Sequence, residues 1–375
     1  MKVGIVGGGG RVGSNAAFTL QLIGAVSEVL LLDVNRDAAE GEALDLRHGA
    51  AYSQPIRFRA GDYADLNGAH MVIITAGLRR RPDESRLELI NRNVGLFREI
   101  LGNLKGVALA DDAIILVVSN PVDILTYLAV KESGLPAERV IGLGTVLDTC
   151  RFRSFLAEHF GVAATDVDAL ILGEHGDSMV PAWSCATIAG VPLKDYPGYS
   201  KEAMDAVFER TKNSGAEAIR LKGGAGYAVG VSIAQVVNAI ALDKHQVLPV
   251  STLQTGALGI SEVCFSLPTR VGRKGVEAVI EIGVSDEERA ALQKALGAGH
   301  QYVDPQVGAV ALEPGDLVLL CTDGLIDGLF DEQLLRLLRE PDETERALNP
   351  AQRLVAASLE RSGRDNTTAL VVEAR

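Results

Sequence analysis

The chain has 375 residues, of which 47% are hydrophobic and 23% charged, and its formal net charge is −13. That length exceeds one compact core at ~100–200 residues per domain, and so acidic a balance argues against nucleic acid or an anionic membrane as partner. The scattered Cys150, Cys185, Cys264 and Cys321 form no CxxC pair, no leader follows Met1, and no apolar run approaches the ~20 residues of a membrane helix, which points to a reduced, cytoplasmic protein.

In the first half, short Val/Ile/Leu runs alternate with amphipathic stretches. Residues 3–6, 28–32, 71–75 and 114–118 predict buried strands, and 14–22, 38–47 and 86–101 predict helices. Such alternation implies βαβ crossovers and a Rossmann-type, doubly wound parallel sheet in an α/β class. After Leu147 the rhythm changes. A helix at 149–160, strands near 169–172 and 182–188 and long helices over 201–221 and 228–242 predict a second, α+β domain. Residues 247–250 and 263–267 read as a returning antiparallel sheet, and 285–294 as a helix capped by Ser285. Gly297-Ala298-Gly299 breaks that helix. Beyond it come a strand at 317–321, helices at 331–340 and 350–361 and a strand at 368–372. Leu296 to Arg375 holds 7 basic and 14 acidic residues, a shift that marks a separate unit. The expected domains are therefore 1–147, 148–295 and 296–375.

Gly8-Gly9-Gly10-Arg11-Val12-Gly13 fits G-x-G-x-x-G between a strand and a helix. Glycines there let the backbone approach a pyrophosphate, and the helix N-terminus offers free N–H groups and a partial positive charge. Asp33 ends the second strand, where a carboxylate accepts from the adenosine ribose and repels a 2′-phosphate, so NAD is the expected cofactor.

His175 lies in the glycine-flanked turn Gly173-Glu174-His175-Gly176-Asp177-Ser178, free to move a proton near neutral pH. Asp148 can hold that imidazole in one tautomer, and Arg151 can grip a carboxylate with two prongs. Proton donor, orienting carboxylate and clamp behind a dinucleotide site describe hydride transfer to a 2-keto acid. His48, His70, His159, His245 and His300 read as structural or surface residues.

Residues 1 to about 295 resemble the L-lactate/L-malate dehydrogenase family throughout. The ordered landmarks are Thr75-Ala76-Gly77, Glu84-Ser85-Arg86, Ser119-Asn120-Pro121-Val122-Asp123, Gly144-Thr145-Val146-Leu147-Asp148, Arg151-Phe152-Arg153 and Gly173–Ser178. The resemblance implies roles one position at a time. His175 is the proton donor and acceptor, Asp148 its orienting carboxylate, and Arg151 the clamp on the substrate C1 carboxylate. Arg86 is the loop arginine that closes over the site and polarises the carbonyl. Asn120 bonds near the carbonyl and nicotinamide, while Gly8, Gly10, Val12, Gly13, Asp33, Thr75, Ala76 and Gly77 line the cofactor. It also implies a homodimer or homotetramer acting on a small 2-keto or 2-hydroxy acid.

Aligned by Pro82 and Arg86, Arg80 falls where lactate enzymes carry Gln and malate enzymes carry Arg. A second guanidinium there pairs with a distal carboxylate, whereas the methyl of pyruvate would leave it unpaired. Ala225, where lactate enzymes usually have Thr, leans the same way. The motifs around Asp148 and His175 lean toward the lactate branch. The expectation is oxaloacetate/L-malate, with pyruvate/L-lactate as the alternative.

The tail resembles the C-terminal third of the PPM metal-dependent protein phosphatases, through Thr322-Asp323-Gly324 and Gly363-Arg364-Asp365-Asn366. That resemblance makes Asp323 and Asp365 metal-ligand positions. The earlier Asp-Gly-x-Gly-Gly-type motif is missing, so no functional metal centre is expected, and the tail strands should have exposed edges and low stability. A regulatory protein built on this phosphatase fragment, with a vestigial dehydrogenase, is the reading from another class; a NAD-binding redox sensor without turnover is a third.

Overall fold

A computed structural model of the chain describes residues 1–78, 86–296, 314, 316–321, 325, 329, 331–361 and 369–373, and the structural statements below concern these. They separate into two compact units, Met1–Tyr302 and Val303–Arg375.

In the first unit, β1 (Lys2–Val6), α1 (Arg11–Ile23), β2 (Glu28–Leu32), α2 (Arg36–His48), β3 (Arg57–Ala60), β4 (Met71–Ile74), α3 (Arg86–Leu104), β5 (Ile114–Val117), α4 (Val122–Glu132) and β6 (Val140–Gly142) follow one another. The six strands pair in parallel in the order β3-β2-β1-β4-β5-β6. Both faces are covered, which is why these strands are runs of apolar residues rather than alternations. Ile5, Leu31, Ile73 and Leu116 pack on one side with Ala16, Ala17 and Leu20 of α1. Leu30, Val72, Ile74 and Val117 pack on the other with Phe97, Leu101, Leu125 and Ala129 of α3 and α4. Strands β3 and β6 and helix α4 were not expected from the sequence. Strand β6 is three residues long, and β3 alternates Arg57 and Arg59 with Phe58, its Arg59 paired to Glu28 at 2.9 Å and Asp65 at 3.0 Å.

Helix α5 (Val146–Phe160) leads into β7 (Val167–Asp168), β8 (Ile171–Leu172), β9 (Val180–Pro181), β10 (Thr187–Ile188) and β11 (Val191–Pro192), which form small antiparallel sheets. The strand expected at 182–188 is instead a 3₁₀ turn, Trp183–Cys185, followed by short β10. The Ser184 N–H donates to Glu288 Oε1 at 2.9 Å and the Ala186 N–H to Trp183 O at 3.1 Å, so donors that a strand would need are taken up by the turn and by Glu288. Helices α6 (Lys201–Lys222) and α7 (Tyr227–Ala241) follow.

The returning strands are longer than expected: β12 (Gln246–Thr255), β13 (Ser261–Gly272) and β14 (Gly275–Val279). They do not form a sheet of their own. β12 pairs antiparallel with β6 at Ser251 and Gly142, so one nine-stranded sheet runs across the boundary expected at 147. Helix α8 (Asp286–Leu296) closes the unit. Its start is a reciprocal capping box: the Glu288 N–H donates to Ser285 Oγ at 3.2 Å, and the Ser285 N–H donates to Glu288 Oε2 at 2.9 Å. Leu292 is fully buried among Leu172, Val180, Leu258, Phe265 and Leu267.

In the second unit β15 (Leu317–Cys321) pairs antiparallel with β16 (Ala369–Glu373), alongside α9 (Asp331–Arg339) and α10 (Pro350–Arg361). Leu325, Leu329, Leu337 and Leu354 form a small core of its own. Buried Arg353 is satisfied by donating to the carbonyls of Leu337 at 3.0 Å and Leu348 at 3.1 Å.

Candidate active site

The carboxyl ends of parallel strands form the crevice where such sheets bind dinucleotides. After β1, the N–H groups of Gly7 and Gly8 both donate to Leu32 O at 2.8 Å, turning the chain sharply into α1. A Cβ at Gly13 would lie 2.4 Å from Gly7 O, so glycine is required for the helix to approach the turn. After β2, Asp33 accepts from the Gly9 N–H at 3.1 Å and the Asn35 N–H at 3.0 Å. After β4, Thr75 Oγ1 donates to Val6 O at 3.1 Å and Gly7 O at 3.2 Å, joining Thr75–Gly77 to the glycine turn. After β5, Ser119 Oγ donates to Ala76 O at 2.6 Å, leaving Asn120 exposed beside it. Gly8, Gly10, Val12, Gly13, Asp33, Thr75, Ala76, Gly77 and Asn120 thus gather on one edge. The fit to NAD rests on the start of α1: its N-cap, Gly10, makes no side-chain cap, so the helix N–H groups stay available to phosphates.

Helix α5 carries the chemical groups. Asp148 is in its first turn and Arg151 one turn on, which places them on one face. The Asp148 side chain is only 1% exposed and uses both oxygens: Oδ2 accepts from His175 Nδ1 at 2.5 Å, and Oδ1 accepts from Arg151 Nη1 at 2.9 Å. With Nδ1 engaged, Nε2 is the nitrogen left to exchange a proton with a ligand. Burial disfavours the imidazolium, but the hydrogen bond and charge of Asp148, with the charge of Asp123, outweigh it and hold His175 above the ordinary histidine value. Burial also opposes ionisation of Asp148, yet His175 and Arg151 together bring it below the ordinary carboxyl value.

The turn bearing His175 runs between β8 and β9 and is pinned from α4. The His175 backbone N–H donates to Asp123 Oδ2 at 2.9 Å, and Ser251 Oγ of β12 donates to Oδ1 at 2.5 Å. Burial pushes the Asp123 carboxyl up to about 6, against those two hydrogen bonds. Neither contact was anticipated. Asp123 was visible only as part of the motif after Asn120, and Ser251 lies 128 residues from it.

Ala225 is partly buried in the loop between α6 and α7. Arg86 begins α3, but its side chain, like all of Arg80, Asp323 and Asp365, lies outside the described residues. Among the described residues Asp243, His245 and Glu277 bring ligand atoms within 4.8 Å of one another. Glu277 there already accepts from His245 Nδ1 at 2.8 Å and Arg270 Nε at 3.0 Å, so this is an exposed ion-pair cluster. All four cysteines are free, and no described helix is long and apolar enough to cross a membrane.

Comparison with known proteins agrees with the geometry. Residues 1–142 match the lactate/malate dehydrogenase NAD-binding domain, and 145–300 match the α/β C-terminal domain of the same family. An L-lactate dehydrogenase of Acetivibrio thermocellus is 44% identical over 298 residues, 78% of this chain and 93% of that protein. L-lactate dehydrogenase 1 of Clostridium acetobutylicum is 44% identical over 293 residues, covering 77% and 93%. The crystal structure of the minor L-lactate dehydrogenase from Enterococcus mundtii superposes with a TM-score of 0.77 at 38% identity, covering 79% of this chain and 95% of that one. The chain therefore belongs to the lactate/malate dehydrogenase family and is an NAD-dependent 2-hydroxy acid dehydrogenase.

Proposed function

We propose that the enzyme interconverts pyruvate and L-lactate. This reverses the order expected from Arg80: relatives named L-lactate dehydrogenase match the whole dehydrogenase part at 44% identity, and their names favour the lactate alternative. The observation that carries the chemistry is Asp148 bonded to His175 and Arg151 at once.

Gly8, Gly10, Val12, Gly13, Asp33, Thr75, Ala76, Gly77 and Asn120 would hold NAD, which when bound would supply or accept the hydride. In reduction, His175 gives its Nε2 proton to the substrate oxygen, and Asp148 stabilises the imidazolium beforehand and fixes its tautomer. Arg151 keeps its remaining N–H groups for the substrate carboxylate. Arg86, the first residue of α3, polarises the carbonyl. Asp123 holds the backbone of the His175 turn.

The second reading is oxaloacetate and L-malate, supported by Arg80 in the substrate loop and by Ala225. NADH oxidation with pyruvate and oxaloacetate in parallel decides between them. A higher kcat/KM for pyruvate is expected; preference for oxaloacetate would place Arg80 in the pocket and overturn the lactate reading.

In the same reading, 1–147 and 148–295 are cofactor and substrate domains of a cytoplasmic homodimer or homotetramer, and 296–375 derives from a PPM phosphatase without its metal chemistry. The supporting features for the tail are the motifs around Asp323 and Asp365.

A further inference from the structure

Arg11 is exposed, stands at an x position of G-x-G-x-x-G and is the first residue of α1. Its guanidinium does not point idly into solvent. Nη1 donates to Lys222 O at 2.7 Å and to Gly224 O at 2.9 Å, more than 200 residues away in sequence. Lys222 ends α6, so a cation caps the carbonyl end of that helix, the favourable sense for its dipole. The loop that follows is packed onto α1. A Cβ on Gly226 would lie 2.9 Å from Asn15 Nδ2 and 3.1 Å from Arg11 Cγ. The Lys222 ammonium sits 3.9 Å from the Tyr227 ring centroid, drawing the loop closed on its other side.

The same helix reaches the substrate clamp. Gly215, two turns before Lys222, presents its face to Arg151, whose Nη2 lies 3.5 Å from where a Cβ would stand. At 1.5 Å per residue, the two contact points are ~10 Å apart on one rigid helix. Phosphate turn, Arg11, α6 and Arg151 therefore form a continuous chain of contacts, with Ala225 in the loop between.

We infer that Arg11 is a positioning residue that couples the cofactor's phosphate turn to the substrate pocket, by holding the 222–226 loop and the end of α6 against α1. This rests on the reading that Gly8, Gly10 and Gly13 take the NAD pyrophosphate and Arg151 the substrate carboxylate. Filling the phosphate turn fixes the start of α1, and Arg11 transmits that order to the loop.

The test uses the full chain and its Arg11→Met and Arg11→Lys variants, with whichever keto acid the unsubstituted enzyme prefers. In Arg11→Met, KM for the keto acid should rise about tenfold for two lost charge-assisted hydrogen bonds, while kcat and KM for NADH stay within about twofold. Arg11→Lys should recover part of the loss. ADP-ribose, which has the pyrophosphate but no nicotinamide, should slow hydrogen exchange at amides 222–227 in the unsubstituted enzyme and not in Arg11→Met. An increase confined to KM for NADH would place Arg11 on the phosphates instead and overturn the coupling. So would unchanged kinetics, or ADP-ribose protection that survives in Arg11→Met. If the unsubstituted protein neither reduces a keto acid nor binds ADP-ribose, the functional reading itself fails and takes this inference with it.

Discussion

Asp148 accepts from His175 through one oxygen and from Arg151 through the other, so one buried carboxylate aligns both side chains. In the proposed mechanism reduction needs protonated His175, so with its raised pKa kcat/KM for reduction should decline only as pH climbs through that value. Asp148→Asn should lower the rate about 100-fold or more and move the decline to lower pH, read from a pH–rate profile. Asp123 gives a different signature. Its folded-state pKa of about 6 lies above the ordinary carboxyl value, so between these two values the folded protein binds more protons than the unfolded chain. Stability therefore falls as pH rises across that window. Asp123→Asn should remove this slope, as urea unfolding on either side of the window would show; an unchanged slope would assign it elsewhere. The placement of Gly13 and Asp33 by the glycine turn, and of Asp148 beside His175, was legible because each sits in a short ordered motif. Asp123 and Ser251 were not: an ordinary carboxylate and hydroxyl meet only once β12 is laid beside α4.

Helix α8 shows the same contrast at the scale of an element. Its Ser285 cap could be read locally, and the reciprocal bond to Glu288 confirms it. What the sequence could not display is the destination of its apolar face. Leu292 Cδ2 lies 3.2 Å from where a Cβ on Gly173 would stand, at the entrance of the His175 turn. This short helix therefore braces the active-site wall. Leu292→Ala should cost about 3 kcal/mol in urea unfolding, the usual transfer and cavity loss for a buried leucine, and should reduce kcat/KM in proportion to the loosened turn. A stable variant with unaltered turnover would show that α8 does not brace the turn. The apolar runs of β1, β2, β4 and β5 were readable because burial on both faces leaves few polar positions; β3 and β6 were not, one being charged on alternate residues and the other too short to show a period.

Across the whole molecule, one nine-stranded sheet takes strands from both sides of position 147, since β12 extends the parallel strands from their β6 edge. Residues Val303–Arg375 have a separate core in which Leu354 is completely buried. A chain ended at Tyr302 should keep kcat/KM within about twofold, and calorimetry of the full chain should resolve two transitions rather than one; a large loss of turnover on truncation would make the tail part of the enzyme. The charge shift after Leu296 suggested a separate unit, and the second compact unit begins at Val303; the continuity of the sheet depended on a strand more than a hundred residues from its neighbour. The position of α8 also sets a schedule for synthesis. Domains fold as their residues emerge, N-terminal parts first, and a bracing helix at the very end of a chain stays inside the ribosome until release. Here the residues after Leu296 push α8 clear while translation is still under way, so the catalytic turn can be locked, and the enzyme completed, on a nascent chain.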